Sequence, residues 1–169
     1  LNLSASPYSV NKQQLRASML AHSASSFRCP IIYANQVGAN DDLIFDGTSM
    51  AFNRQGQIVG RLPSFQTGLT VVNFEPLKRD VQPGLVSPLP TDENESIWAA
   101  LVLGVRDYAH KCGFRQAVIG LSGGIDSALV LTIAAAALGK DNVLGVLMPS
   151  PYSSDHSISD ALKLCHNLE

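Results

Sequence analysis

The sequence predicts an α/β fold built from two differently patterned halves, and three observations carry that expectation. Between residues 116 and 148 a β-type run, a glycine-rich loop, an Ala- and Leu-rich helix and a second β-type run follow one another, the order of a parallel βαβ unit with a right-handed crossover. Before residue 75 the pattern is β-rich, with short apolar runs separated by turn residues around a single helix. Between them, residues 75–95 carry Pro76, Pro83, Pro88, Pro90 and Gly84 without helical or strand period, and read as an extended, partly polyproline-like linker. The expected division is therefore 1–74, linker 75–95, and 96–169.

Composition narrows the function classes. The chain has 169 residues, 46% of them hydrophobic, with 12 Lys and Arg against 14 Asp and Glu. A disordered tail, a collagen-like chain or a disulfide framework would look different. A net charge of −2 supplies no field toward nucleic acid or an anionic membrane. Apolar stretches such as 129–138 fall far short of the ~20 residues of a membrane span, and no charged segment with a following apolar core opens the chain. A cytoplasmic protein with neither nucleic acid nor membrane as partner is expected. Cys29, Cys112 and Cys165 are odd in number and contain no CxxC pair, so they read as packing or surface thiols of a reducing compartment.

In the first half, residues 1–3 read as the end of a strand. Lys12 to about Phe27 has helix-forming composition, with Leu15, Met19 and Leu20 as apolar anchors and Pro30 closing it. Residues 31–35 form a β-type run. Residues 48–52 and 57–62 flank Asn53-Arg54-Gln55-Gly56, where Gly56 can supply the positive φ of a hairpin turn. Residues 69–74 read as a last strand, and Asp41, Asp42 and Asp46 as solvated turn carboxylates. So few strands with one helix make an incomplete layer, which must bury its apolar face elsewhere.

The second half starts with a helix capped by Thr91 or Asn94. Acidic residues occupy its first turn, basic ones its last turn before Gly113, and Ile97, Leu101, Val105 and Tyr108 recur at helical spacing. Strand 116–121, helix 126–138 ended by Gly139, and strand 143–148 follow. Ser157 with Asp160 resembles a capping box for a final helix whose apolar face is Ile158, Ala161, Leu162, Cys165 and Leu168. This order argues for an open sheet.

The turn of the βαβ unit is Gly120-Leu121-Ser122-Gly123-Gly124-Ile125-Asp126-Ser127. Open α/β sheets bind ligands at such a place, where free backbone N–H groups and the positive end of a helix dipole suit phosphate. The two adjacent glycines permit close backbone approach, and Ser122 and Ser127 add hydroxyl donors. Walker A is excluded because no Lys lies between Lys111 and Lys140, and GxGxxG because the glycines fall at 120, 123 and 124. A carboxylate beside phosphates is repulsive unless a cation intervenes, so Asp126 reads as a Mg²⁺ ligand. The plainer alternative is an ordinary βα turn with Asp126 capping its helix. Met148, with Pro149, ends the next strand near the same crevice.

The hexamer Ser122-Gly123-Gly124-Ile125-Asp126-Ser127 resembles the SGGxDS pyrophosphate loop of the ATP pyrophosphatases. Residues 148–154 resemble the strand end that lines the adenine and ribose pocket in NAD synthetases. In the first half, Asn2-Leu3-Ser4-Ala5-Ser6-Pro7-Tyr8, Tyr33-Ala34-Asn35-Gln36-Val37-Gly38 and Phe45-Asp46-Gly47-Thr48-Ser49 resemble the C-terminal half of a nitrilase-type carbon–nitrogen hydrolase domain. The combination resembles the layout of the glutamine-dependent NAD synthetases. It implies a partial nitrilase-like αββα layer followed by the first βαβ units of a Rossmann-like, adenine-nucleotide α-hydrolase-like sheet.

The resemblance implies a ligase whose glutaminase part releases ammonia, while ATP with Mg²⁺ adenylates deamido-NAD and ammonia displaces AMP to give NAD. Residues 120–127 and Met148 then contact ATP, Asp126 also the metal, and Ser6 and Lys12 glutamine. A hydroxyl and an ammonium suit a substrate carboxylate. Taken without the family, Ser6 is a loop hydroxyl and Lys12 a solvated helix-start residue. The family's Glu, Lys and Cys triad precedes the Asn-Leu-Ser segment, so no catalytic residue is expected in this chain and Cys29 is not the nucleophile. The expectation is a segment, of low activity by itself, of a longer homo-oligomeric enzyme. The alternatives are another ATP pyrophosphatase, of GMP synthetase or tRNA-modifying type, and a non-catalytic truncated fragment.

Overall fold

The computed structural model describes residues 1–149 and 155–168. The chain divides into two compact units, Leu1–Ala100 and Leu101–Glu169. The first contains β1 (Asn2–Ser4), α1 (Lys12–Phe27), β2 (Ile31–Asn35), β3 (Val37–Asn40), β4 (Leu43–Asp46), β5 (Met50–Phe52), β6 (Ile58–Arg61), β7 (Phe74–Glu75) and β8 (Asp80–Val81). Helix α2 (Glu93–Lys111) crosses the division, and β9 (Ala117–Leu121), α3 (Ile125–Leu138), β10 (Val143–Leu147) and α4 (Asp155–Leu168) follow.

The sheet of the first unit has the order β1-β2-β5-β6, with β1 parallel to β2 and the remaining pairs antiparallel. Helix α1 packs on it through Ala17, Leu20, Ala21 and Ala24, against Tyr33, Met50 and Phe52. This differs from the expected anchors. Leu20 faces the sheet, but Leu15 and Met19 are 60% and 62% exposed. Small side chains let the helix axis approach closely, so the alanine face buries and the longer apolar residues are left outside. Gly56 makes the same approach from the β5–β6 turn: at φ 78° it sits so close to the Ala21 carbonyl that a Cβ would lie 2.4 Å from its oxygen. Only glycine satisfies both conditions.

The hairpin of β3 and β4 was not expected from the sequence as a paired unit; it joins Val37 to Asp46 and Asn40 to Leu43. The expected strand at 69–74 is reduced to Phe74–Glu75. Leu69 and Val71 stay 94% and 78% exposed, because the free edge of β6 is taken by a later segment. Gly84 N–H donates to the Val59 carbonyl at 2.7 Å, Arg61 N–H to Leu85 O at 2.9 Å, and Ser87 N–H to Arg61 O at 3.0 Å. The proline-rich stretch therefore lies along a sheet edge, where alternate donors suffice and proline is tolerated. It also contains β8, whose Val81 is buried with Ala51 and Val59.

In the second unit β9 and β10 pair in parallel, Ala117 with Val143 through Leu121 with Leu147. Their core joins Leu121, Leu131 and Ala161, with Ile119, Val143, Leu147, Leu164, Cys165 and Leu168 around it. The expected apolar face of α4 is thus largely inward, but Leu162 is 55% exposed and Leu164 takes its place. The helix begins at Asp155, so Ser157 lies inside it rather than at a cap. Helix α2 also differs from expectation. Asp92 Oδ1, not Thr91 or Asn94, accepts the Glu95 N–H at 2.8 Å. Its buried residues are Ala100, Leu103 and Ala109, while Leu101, Val105 and Tyr108 are at least 38% exposed. The packed face is set by Leu103 with an alanine on either side of it in the chain.

Candidate functional site

The loop after β9 is shaped by its own hydroxyls. Ser127 Oγ donates to the Gly124 carbonyl at 3.0 Å and accepts the Ser122 N–H at 3.3 Å, while Ser122 Oγ lies 3.2 Å from it and accepts the Gly124 N–H at 3.3 Å. The serine hydroxyls therefore close the turn. Gly124 occupies the N-cap of α3 and no side chain caps that end. The first-turn N–H groups of Ile125, Asp126 and Ser127 have no intrahelical acceptor, and they face the mouth of the strand–helix turn.

Gly123 is the tightest point. It has φ 81°, and a Cβ there would lie 2.3 Å from the Ser157 carbonyl oxygen and 2.5 Å from Ser157 Cα. The loop is consequently seated on the first turn of α4. A cleft of about 270 Å³ opens beside it, lined by Leu121, Gly123, Ser127, Asp160, Ala161 and Leu164 among others.

Asp126 lies in the first turn of α3, exposed, and makes no hydrogen bond or ion pair among the described residues. It does not cap the helix. No group of three or more His, Cys, Asp or Glu able to hold a metal occurs among the described residues. A lone carboxylate beside free N–H donors fits a Mg²⁺ that draws its remaining oxygens from phosphate and water. It does not fit a metal held by protein alone.

Met148 extends over β9: its Cε is 2.9 Å from where a Gly120 Cβ would be, and the side chain is 71% exposed. Gly120, Leu121 and Met148 thus meet at the carboxyl ends of the two strands. Residues 150–154 of the motif that follows lie outside the described residues.

The first unit holds Ser6 and Lys12. Ser6 follows β1, and its N–H donates to Asn35 Oδ1 at 2.8 Å while Asn35 Nδ2 donates to its carbonyl at 3.2 Å. Lys12 opens α1, its N–H bonded to Ser9 O at 3.1 Å. Behind Ser6 lies a buried polar cluster that contradicts the reading of Asp46 as solvated. Asp46 is fully buried. Its carboxylate accepts Arg16 Nη1 at 3.0 Å, Arg16 Nη2 at 3.1 Å, Gln13 Nε2 at 2.9 Å and Thr48 Oγ1 at 2.8 Å. Asp41 and Asp42 are exposed, as expected.

The Arg16 guanidinium also lies 5.7 Å from the Tyr33 ring centre. Burial pushes the Tyr33 phenol up from 10.0, with the Arg16 charge only partly opposing it. Sequence reading missed Arg16, Gln13 and Asn35 because arginine on a helix and asparagine at a strand end are usually solvated. One signal was available. Arg16 lies four residues before Leu20 and eight before Ala24, on the face that packs.

Two family models match the chain, carbon–nitrogen hydrolase over residues 2–77 and NAD synthase over residues 97–169. A glutamine-dependent NAD(+) synthetase from Synechocystis sp. is 59% identical over 168 residues, covering 99% of this chain and 30% of that protein. The chain belongs to the family of glutamine-dependent NAD(+) synthetases. A relative of the same description from Thermotoga maritima is 40% identical over 199 residues, covering 99% of this chain and 34% of its own length. This member of the family thus spans about a third of the length of the curated relatives it matches.

Among solved structures, the glutamine-dependent NAD+ synthetase of Acinetobacter baumannii, in complex with adenosine diphosphate, matches with a TM-score of 0.92 at 38% identity. It covers 99% of this chain and 32% of that one. A structure of the enzyme from Cytophaga hutchinsonii, at 20% identity and a TM-score of 0.78 over 98% of this chain and 34% of that one, supports the fold. The α/β expectation, with a hydrolase-type half and a parallel-sheet half, therefore holds. No helix among the described residues is long and apolar enough to cross a membrane.

Proposed function

We propose that this chain forms the end of the ammonia-releasing part and the start of the ATP-dependent part of a glutamine-dependent NAD synthetase, an ATP-dependent carbon–nitrogen ligase. The parts correspond to residues 1–74 and 96–169, joined through 75–95. ATP activates the nicotinate carboxylate of deamido-NAD, ammonia from glutamine displaces AMP, and pyrophosphate leaves. The observation that carries this is the exposed Ser122–Ser127 turn at the end of β9, opening α3 with no side-chain cap, in a chain whose other half matches the hydrolase family. That match also argues against other ATP pyrophosphatases. The adenosine diphosphate in the A. baumannii relative supports an adenine nucleotide as ligand.

The chain's own groups have distinct tasks in this reading. Residues 120–127 cradle phosphate through the backbone N–H groups that the turn leaves free, with Ser122 and Ser127 fixing its shape. Asp126 ligates Mg²⁺, which when bound neutralises phosphate charge. Met148 offers an apolar, polarisable surface to the base, and Ser6 and Lys12 hold the glutamine carboxylate.

Calorimetric titration with ATP and Mg²⁺ tests the nucleotide site. Binding that weakens about tenfold in Asp126→Asn, a loss of about 1.4 kcal/mol, is expected. Absence of binding in a folded wild type would sink the assignment of this loop.

A further inference from the structure

The cluster behind Ser6 is built at a cost that stability does not require. A buried ion pair is usually matched or exceeded in stability by apolar residues of similar volume. Here the pair is complete around the carboxylate yet incomplete around the guanidinium. Asp46 accepts four donors, whereas Arg16 Nε is buried without a hydrogen-bond partner. The arginine is therefore placed by its two terminal nitrogens, and Nη2 faces Ser6. It lies 3.3 Å from Ser6 Oγ and 3.5 Å from Ser6 O, as well as 3.1 Å from Asp46 Oδ1.

Arginine only donates hydrogen bonds. Ser6 Oγ must accept from it, which leaves the Ser6 O–H proton able to serve another acceptor, beside the Tyr33 phenol that interacts with the same side chain. The backbone of Ser6 is meanwhile locked to Asn35 through both its N–H and its carbonyl. We infer that Arg16, clamped by an Asp46 carboxylate that Gln13 and Thr48 hold in turn, is a positioning residue that fixes Ser6 Oγ in place as a hydrogen-bond donor to the glutamine carboxylate. This rests on the reading of Ser6 as a glutamine contact. Asp46 neutralises Arg16, so the cluster sets position, and Lys12 supplies the charge that attracts the carboxylate.

The test uses the full-length synthetase carrying these residues, assayed with glutamine and separately with an ammonium salt as nitrogen source. Arg16→Lys keeps the charge but cannot serve both Asp46 oxygens and Ser6. The expected result is a rise of about tenfold in the glutamine KM with a much smaller change in kcat, and a fall in the ratio of glutamine-fuelled to ammonium-fuelled turnover. In a Ser6→Ala background the same substitution adds little, because both changes remove one interaction. If the lysine variant does not fold, the neutral pair Arg16→Gln with Asp46→Asn replaces it, with the same expectation.

An unchanged glutamine KM in the Arg16 variant, beside a raised one in Ser6→Ala, overturns the inference and leaves the glutamine reading standing. So does a parallel fall of both rates, which marks a purely structural role. Should Ser6→Ala leave the glutamine KM unaltered, the glutamine reading itself fails.

Discussion

The two polar regions of this chain use similar side chains to opposite ends. Around Asp46, hydroxyl, amide, guanidinium and carboxylate groups are buried and nearly all satisfied by one another. Around Asp126, the serine hydroxyls satisfy only the turn itself, and the carboxylate and first-turn N–H groups stay open among the described residues. A cluster that consumes its own hydrogen-bonding capacity holds other residues in place; one that leaves capacity unused is suited to a ligand. The first is expected to be sensitive in stability and the second in binding.

Asp46→Ala should break that comparison most severely. It strands the buried Arg16 charge, and removing one partner of a buried pair costs about 3–5 kcal/mol. Urea unfolding should show a large drop in midpoint, and a drop near zero would mean that the pair contributes no more than a surface one. Gly123→Ala is the next largest and crosses the divide, since it strikes the Ser122–Ser127 loop through packing. Positive φ and collision with the Ser157 backbone should cost about 2–3 kcal/mol. ATP binding should fall with it, whereas an alanine tolerated in both measurements would show that the loop is not seated on α4.

Tyr33→Phe is the mildest. Tyr33 Oη is buried with no well-formed hydrogen bond, only weak interactions with the Ser6 and Ser4 side chains, so its removal at pH 7 should change stability by less than about 1 kcal/mol. Because its folded pKa is raised above 10.0, mainly by burial, the neutral phenol's contribution is complete below pH 10 and is lost as pH rises through the folded value. The thermal midpoint of the wild type should therefore fall more steeply above pH 10 than that of the phenylalanine variant. Parallel pH curves would show that Tyr33 ionises freely in the folded state.

Local sequence carried the elements whose cause is local. The α1 limits, the hairpin around Gly56, the order β9–α3–β10 and the position of the glycine-rich turn follow from period, turn chemistry and glycine placement, and each is where the residues indicate. The faces of the helices were less legible. Leu15, Met19, Leu101 and Val105 form good helical stripes but face outward, since alanines at the contact allow a closer approach than leucine does. The strand expected at 69–74 failed for a competing reason. A strand needs a vacant edge, and residues 84–87 occupy the one on β6.

Asp46 marks the boundary between the two kinds of information. Its sequence neighbours, Gly47 and Thr48, describe a turn, and a turn aspartate is ordinarily solvated. It is buried only because α1 delivers Arg16 and Gln13 from thirty and thirty-three residues away. By itself the sequence determined the family, the parallel βαβ unit and the glycine-rich turn between its first strand and helix, because each rests on residues adjacent in the chain. The tertiary structure alone decided which charges are buried, which helix faces pack and which edge the proline-rich stretch covers. Those outcomes depend on what a side chain meets across space, and that is set by how closely the backbones approach.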